Sequence, residues 1–209
     1  MPAIANVRPE VATLPLMEAF YTIQGEGHHR GKAAYFIRLG GCDVGCHWCD
    51  VKESWDADAH PAVAVADLVR EAAGFPARLA VVTGGEPLMH NLDGLCAALR
   101  AAGFRTHLET SGTHLLSGRW DWICFSPKKF KAPHPDAYAA ADELKVVVFH
   151  RSDLVWAESF ADRVKPECKL LLQPEWSRSK ETLPLMVDYV KENPRWEISL
   201  QIHKFMNIP

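Results

Sequence analysis

Short apolar, β-rich runs alternate with segments of helical spacing along most of the chain, and this alternation restricts the fold more than any other feature. Runs at 34–39, 79–83, 106–109, 122–126, 143–149, 169–173 and 197–201 read as strands. Between them, Leu92, Leu95, Cys96 and Leu99 repeat at i, i+3, i+4 and i+7 ahead of Gly103, and Leu68, Val69, Ala72 and Ala73 form a similar stripe before Gly74. A later helix is expected to start at Thr182-Leu-Pro-Leu185, with Pro184 near its first turn, and to stop at Asn193-Pro194. Alternation of this kind implies parallel strands joined by right-handed crossovers. A complete eight-fold barrel takes about 250 residues. At 209 residues the chain is too short for one. The expectation is therefore an α/β fold in one domain over 1–209, as an incomplete, TIM-type barrel of parallel strands with outer helices or an open parallel sheet.

The polar, Gly- and Pro-punctuated motifs fall at the carboxyl ends of these strands. Gly41 to Asp50 follows the first and Gly84-Gly-Glu-Pro87 the second, Glu109-Thr-Ser-Gly112 closes the third, and Ser126-Pro-Lys128 the fourth. Gln173-Pro-Glu-Trp176 and Gln201-Ile-His-Lys204 close two later ones. In parallel α/β folds that edge is where ligands bind, so six loops are expected to form one large site.

A net charge of -3 argues against a broad polyanion-binding surface, so no nucleic acid partner is expected. Met1 to Leu16 lacks the basic start and apolar run of a signal peptide. No window approaches the ~20 apolar residues that cross a bilayer. The expected setting is cytoplasmic, where thiols stay reduced and tight cysteine groups bind metals or do redox chemistry.

Three of the six cysteines, Cys42, Cys46 and Cys49, form C-x3-C-x2-C within Cys42-Asp-Val-Gly-Cys46-His-Trp-Cys49. A loop of that length can wrap three thiolates around a small cluster, with Gly45 permitting a tight turn. A cubane [4Fe–4S] cluster ordinarily takes four cysteines, so three leave one iron open for chemistry. The alternatives are free thiols or a structural zinc with His47 as fourth ligand, although a His between two ligands on a short loop reaches the same tetrahedron poorly. Cys96, Cys124 and Cys168 stand singly and read as small buried hydrophobes.

The three-cysteine loop, with Gly84-Gly-Glu-Pro87 after the second strand, resembles the radical S-adenosylmethionine (SAM) superfamily. Phe20-Tyr-Thr-Ile-Gln-Gly-Glu-Gly27, Arg38, Glu109-Thr-Ser-Gly112, Ser126-Pro-Lys128 and the tail from Leu200 to Pro209 narrow it further. Together these resemble the 7-carboxy-7-deazaguanine synthase family of queuosine and deazapurine biosynthesis, over about Glu18 to Pro209. The resemblance implies a radical SAM core, a [4Fe–4S] cluster on Cys42, Cys46 and Cys49, and SAM chelated to the open iron. It implies a lyase that cleaves SAM to methionine and a 5′-deoxyadenosyl radical, removes hydrogen from C6 of 6-carboxy-5,6,7,8-tetrahydropterin, contracts the ring and releases ammonia.

Carried over by motif, SAM contacts fall on Trp48, Cys49, Asp50, Gly85, Ser126, Pro127, Lys128, Gln173, Pro174, Glu175 and Trp176. Glu86 would add negative charge near the SAM ammonium. Substrate contacts fall on Ile23, Gln24, Gly25 and Glu26, on Arg38 as carboxylate clamp, on Thr83, and on His203. Pro209 is implied to bring a chain-end carboxylate to the pocket, pinned by Phe205, Met206 and Ile208. His203 and Glu26 are candidates for acid–base work, with no residue singled out as the catalytic one. The family also implies a homodimer and a flavodoxin-type reductant.

One departure stands out. Family members commonly carry Thr after Cys-Asp as a Mg²⁺ ligand, and here Val51 occupies that position and offers no oxygen. Mg²⁺ dependence is expected to be weak, with Asp50, Glu53, Ser54, substrate oxygens and water as remaining donors, or Lys52 supplying positive charge instead. The nearest rival is another small radical SAM enzyme such as a glycyl-radical activase. A rival from a different class is a non-catalytic redox module, which would want a coordinatively complete cluster.

Overall fold

The computed structural model describes residues 12–209; the leader reading of Met1 to Leu16 therefore lies, through residue 11, outside the described residues. Nine strands form one unclosed sheet in the order β3-β1-β2-β4-β5-β6-β7-β8-β9. The seven expected parallel strands are present as β2 (Ala33–Leu39), β4 (Leu79–Gly84), β5 (Arg105–Thr110), β6 (Trp122–Phe125), β7 (Glu143–Val148), β8 (Lys169–Pro174) and β9 (Trp196–Ile198), the last stopping three residues short of the expected 201, so that Gln201-Ile-His-Lys204 opens a short helix instead of closing the strand. Each pairs parallel with the next. The sheet begins with two strands not anticipated, β1 (Thr13–Ile23) and the short β3 (Ala62–Ala64), both antiparallel to their neighbours. The fold is a partial TIM-type barrel.

Helices α1 (Val65–Ala73), α2 (Asp93–Ala101), α4 (Ser152–Ala161) and α5 (Ser179–Glu192), with the short α3 (Asp136–Ala140) and α6 (Ile202–Met206), complete the chain. The α5 helix starts at Ser179, three residues before the expected Thr182, so Pro184 sits inside it rather than in its first turn.

Strand alternation explains both the core and the site. On β2, Tyr35, Ile37 and Leu39 pack with Ala80 and Val82 of β4 and Leu108 of β5 beneath Leu68 and Ala72 of α1 and Leu95 and Leu99 of α2. On β7, Leu144, Val146 and Val148 pack with Leu154, Ala157 and Phe160 of α4 and Met186 of α5. Successive side chains on a strand point to opposite faces. The intervening Phe36, Arg38, Thr83, Glu109, Lys145 and Gln173 therefore face the barrel interior, and all six line its cavity. A one-residue slip in any of these strands would send the polar row into the core.

Candidate functional site

At the carboxyl ends of the strands lies a cavity of about 290 Å³. Its lining draws on the loops after β1, β2, β4, β5, β6 and β8 and on the tail, as the motif placement predicts.

The cluster loop hangs from the end of β2. Gly41 N–H donates to Ser54 O at 2.7 Å and Cys42 N–H to Trp55 O at 3.0 Å, which ties the loop's two ends together. Cys49 N–H closes a turn on Cys46 O at 3.1 Å, after Gly45 at φ 74°, a left-handed conformation that glycine adopts without strain. The loop after β4 braces it from beside, through Gly85 N–H to Leu39 O at 3.0 Å and Glu86 N–H to Gly41 O at 2.8 Å. A Cβ on Gly85 would lie 2.3 Å from Gly41 O and 2.6 Å from Cys42 Cβ. That position must be glycine for the two loops to meet.

Cys42, Cys46 and Cys49 all line the cavity. Burial, then the charge of neighbouring groups, pushes the Cys42 thiol up; burial likewise takes Cys46 to about 11 despite the nearby Lys128 ammonium. Such thiols ionise readily only against a metal. His47 lies elsewhere, edge-on to Phe130 at 5.2 Å and Phe149 at 5.5 Å, and does not line the cavity. Three thiols from one loop border the cavity while His47, the one candidate fourth ligand, does not. A cubane cluster ordinarily takes four cysteines, so three thiolates are the donor set for a [4Fe–4S] cluster with one iron free of protein.

The cavity floor is polar and charged. Lys145, on β7, is buried and donates from Nζ to Glu26 at 2.6 Å and Glu109 at 2.8 Å. Gln24 Nε2 donates to Glu109 at 3.1 Å while its Oε1 accepts from Glu26 N–H at 3.1 Å. Gln201 Nε2 donates to Glu26 at 2.8 Å. Burial works to raise Glu26, but the Lys145 charge and hydrogen bonds from Lys145, Gln201 and Gln173 bring its carboxyl down to about 2. Ile23, Gly25, Arg38, Thr83, His203 and Pro209 border the same space. Arg38 Nε also donates to Glu18 at 2.6 Å, and burial lowers His203 first of all.

On the cluster side, Trp48, Asp50, Gly85, Ser126, Lys128 and the 173–176 run line the cavity. Lys128 Nζ donates to Ser126 O and Oγ, both at 2.6 Å. Two residues expected at SAM do not line it. Pro127 faces a neighbouring groove beside His47 and Trp156. Glu86 is buried, with its carboxylate taken by Leu88 N–H, Thr110 Oγ1, and Ser111 N–H and Oγ. Its negative charge is spent holding two loops together.

The tail also differs in detail. Thr22 Oγ1 donates to Pro209 O at 3.2 Å and Ile202 N–H to Gly25 O at 2.9 Å. Phe205 is 70% exposed, meeting Trp176 edge-on at 5.4 Å, and Met206 is also exposed, so polar contacts rather than apolar burial seat the segment. Lys52 lies near the Trp55 ring and outside the cavity lining. Asp50 instead pairs with Lys204 at 3.1 Å. Sequence reading missed Glu109 as a floor residue and missed Lys145 and Gln201; the inward period-2 position of Lys145 in an apolar strand was the available signal.

The family model of the radical SAM superfamily matches residues 36–129. A 7-carboxy-7-deazaguanine synthase of Flavobacterium psychrophilum is 54% identical, over 94% of this chain and 93% of its own. That of Synechocystis sp. is 44% identical over 93% of each. The crystal structure of QueE from Escherichia coli superposes with a TM-score of 0.81 at 32% identity, covering 90% of this chain and 93% of that one.

Proposed function

The chain belongs to the 7-carboxy-7-deazaguanine synthase family of the radical SAM superfamily, and from that membership and the cavity we infer that it converts 6-carboxy-5,6,7,8-tetrahydropterin to 7-carboxy-7-deazaguanine with loss of ammonia, in queuosine biosynthesis. It is a radical SAM carbon–nitrogen lyase using a [4Fe–4S] cluster and SAM. When bound, these supply a one-electron cleavage that yields a hydrogen-abstracting radical. The protein contributes position and exclusion of water.

Residues 1–209 act as one radical SAM domain in this reading. Cys42, Cys46 and Cys49 hold the cluster. Trp48, Asp50, Gly85, Ser126, Lys128 and the run from Gln173 to Trp176 hold SAM beside it, with Pro127 and Glu86 shaping the loops from behind. Ile23, Gln24, Gly25, Glu26, Thr83, His203 and Pro209 hold the pterin, and Arg38 takes its carboxylate. The observation that carries the assignment is one cavity lined both by the three thiols and by the charged floor. The open-iron cofactor and a donor-rich substrate can thus share one cavity.

Val51 lines the cavity without a side-chain oxygen, and Glu53 and Ser54 lie outside its lining, so Mg²⁺ would draw mainly on substrate, water and Asp50 oxygens, and Asp50 is already paired with Lys204. Mg²⁺ dependence is accordingly weak in this account. A cytoplasmic homodimer reduced by a flavodoxin completes the proposal; among the described residues no helix is long and apolar enough to cross a membrane.

The test is product analysis on anaerobically reconstituted protein with the carboxylated tetrahydropterin, with and without Mg²⁺. The 7-carboxy-7-deazaguanine product should form in both, at rates within a few-fold of each other. Turnover only with Mg²⁺ would overturn the metal reading, and no product in either would overturn the activity.

A further inference from the structure

The floor of the cavity holds more acceptor capacity than the protein uses. Glu26 Oε1 accepts from Gln201 and Oε2 from Lys145; Glu109 Oε1 accepts from Gln24 and Oε2 from Lys145. An ionised carboxylate has about four lone-pair sites; with Gln173 also donating to Glu26, Glu26 keeps about one and Glu109 about two for a ligand. Both residues line the cavity, and one lysine between two carboxylates leaves the trio with net negative charge.

We propose that Lys145 is a positioning residue that holds Glu26 and Glu109 as a paired, charged acceptor, and that this pair selects substrates by their amine edge. The inference rests on the cavity being the pterin site and specifies what reads the heterocycle there. Without Lys145 the two half-buried carboxylates would share the floor with no cation between them, and a charge robbed of its partner out of bulk water is disfavoured. One of them would take up a proton and turn from acceptor to donor. The 2-amino group and ring N–H of a pterin match acceptors; a carbonyl in place of the amine would set oxygen against oxygen.

The surroundings reinforce the arrangement. Burial would lower Lys145, but Cys124, Glu109, Glu26 and Glu143 together hold it well above its ordinary value. Burial and the Glu109 charge raise Glu143 on the same strand, so the load of keeping the floor charged falls on the Lys145 trio. His203 faces Glu26 from the tail, and burial holds its ring below the ordinary value.

The experiment compares Lys145→Met with the parent as loaded holoenzyme, using circular dichroism and cluster absorbance as controls for folding. The expected result is a KM for the pterin raised at least about 10-fold with kcat changed much less, and a new ionisation in kcat/KM that the parent lacks. An unchanged KM with a flat pH profile would overturn the proposal. Should the variant fail to fold, the parent enzyme decides with the 2-oxo analogue of the pterin. A site built on matched hydrogen bonds should reject it by about 100-fold or more in kcat/KM, and equal turnover would overturn the proposal. Failure of the underlying functional reading looks different, because the parent itself would then leave the pterin unconverted.

Discussion

Replacing Glu86 by alanine should destabilise the protein far more than a loop substitution ordinarily does. The side chain is 1% exposed. Its carboxylate accepts from Leu88 N–H at 3.0 Å, Thr110 Oγ1 at 2.6 Å, Ser111 N–H at 2.7 Å and the Ser111 hydroxyl. The two hydroxyls can rotate to other acceptors, whereas the two backbone N–H groups cannot. Each buried donor left without a partner costs about 1–3 kcal/mol, so the N–H groups alone imply roughly 2–6 kcal/mol. With about 2–4 °C of midpoint per kcal/mol at this chain length, the centre of that range corresponds to a fall of roughly 8–16 °C. Glu86→Gln keeps one acceptor oxygen but turns an NH₂ toward the donors, and should give an intermediate loss. The assay is thermal unfolding followed by circular dichroism, with parent and variants all free of cluster so that loading does not enter the comparison. A midpoint for Glu86→Ala within about 2 °C of the parent would refute the reasoning, because it would mean that the donors find water or other partners at no cost.

Gly85→Ala should lose cluster loading, since its Cβ would collide with Gly41 O and Cys42 Cβ; full iron and sulfide content in that variant would contradict the close approach of the two loops. Arg38→Ala should leave cluster loading intact and raise the pterin KM by about 10- to 100-fold, the worth of a charge-assisted hydrogen bond of roughly 1.5–3 kcal/mol, and an unchanged KM would remove Arg38 as the clamp. Glu26 has a folded value of about 2 against an ordinary 4.5, so its contribution to stability is full above pH 4.5 and is lost as pH falls toward 2. Glu26→Gln should therefore flatten the acid limb of a denaturant-unfolding series across that window, and an unaltered slope would show that the carboxylate is not depressed.

Much of this architecture is legible in the sequence because parallel strands buried against helices leave strong signals. The apolar alternates of β7, Leu144, Val146 and Val148, announce the strand, and the Gly-rich runs after β2 and β4 announce the ligand edge. Other elements carry no such signal. The β1 strand reads Thr-Leu-Pro-Leu-Met-Glu-Ala-Phe-Tyr-Thr-Ile with mostly half-buried side chains, so it lacks the clean alternation that marks a strand with one dry face. In α4, buried Asp153 interrupts the apolar face while Val155 is exposed on the surface, which blurs the helical period. The floor trio is hidden for another reason. Glu26, Glu109 and Lys145 come from β1's loop, β5 and β7, 119 residues apart between Glu26 and Lys145, and only the curvature of the unclosed sheet brings them together. Glu86 fails in the opposite way: its motif position suggests a ligand contact, yet the serine and threonine after β5 capture both of its oxygens.

The most direct measurement is electron paramagnetic resonance of the dithionite-reduced, iron-reconstituted protein, recorded with and without SAM. Three cysteine thiolates on a cubane leave one iron for SAM to occupy, so the account predicts a [4Fe–4S]⁺ signal whose g-values shift when SAM is added. A signal indifferent to SAM, or a protein that retains zinc and no cluster iron, would contradict it.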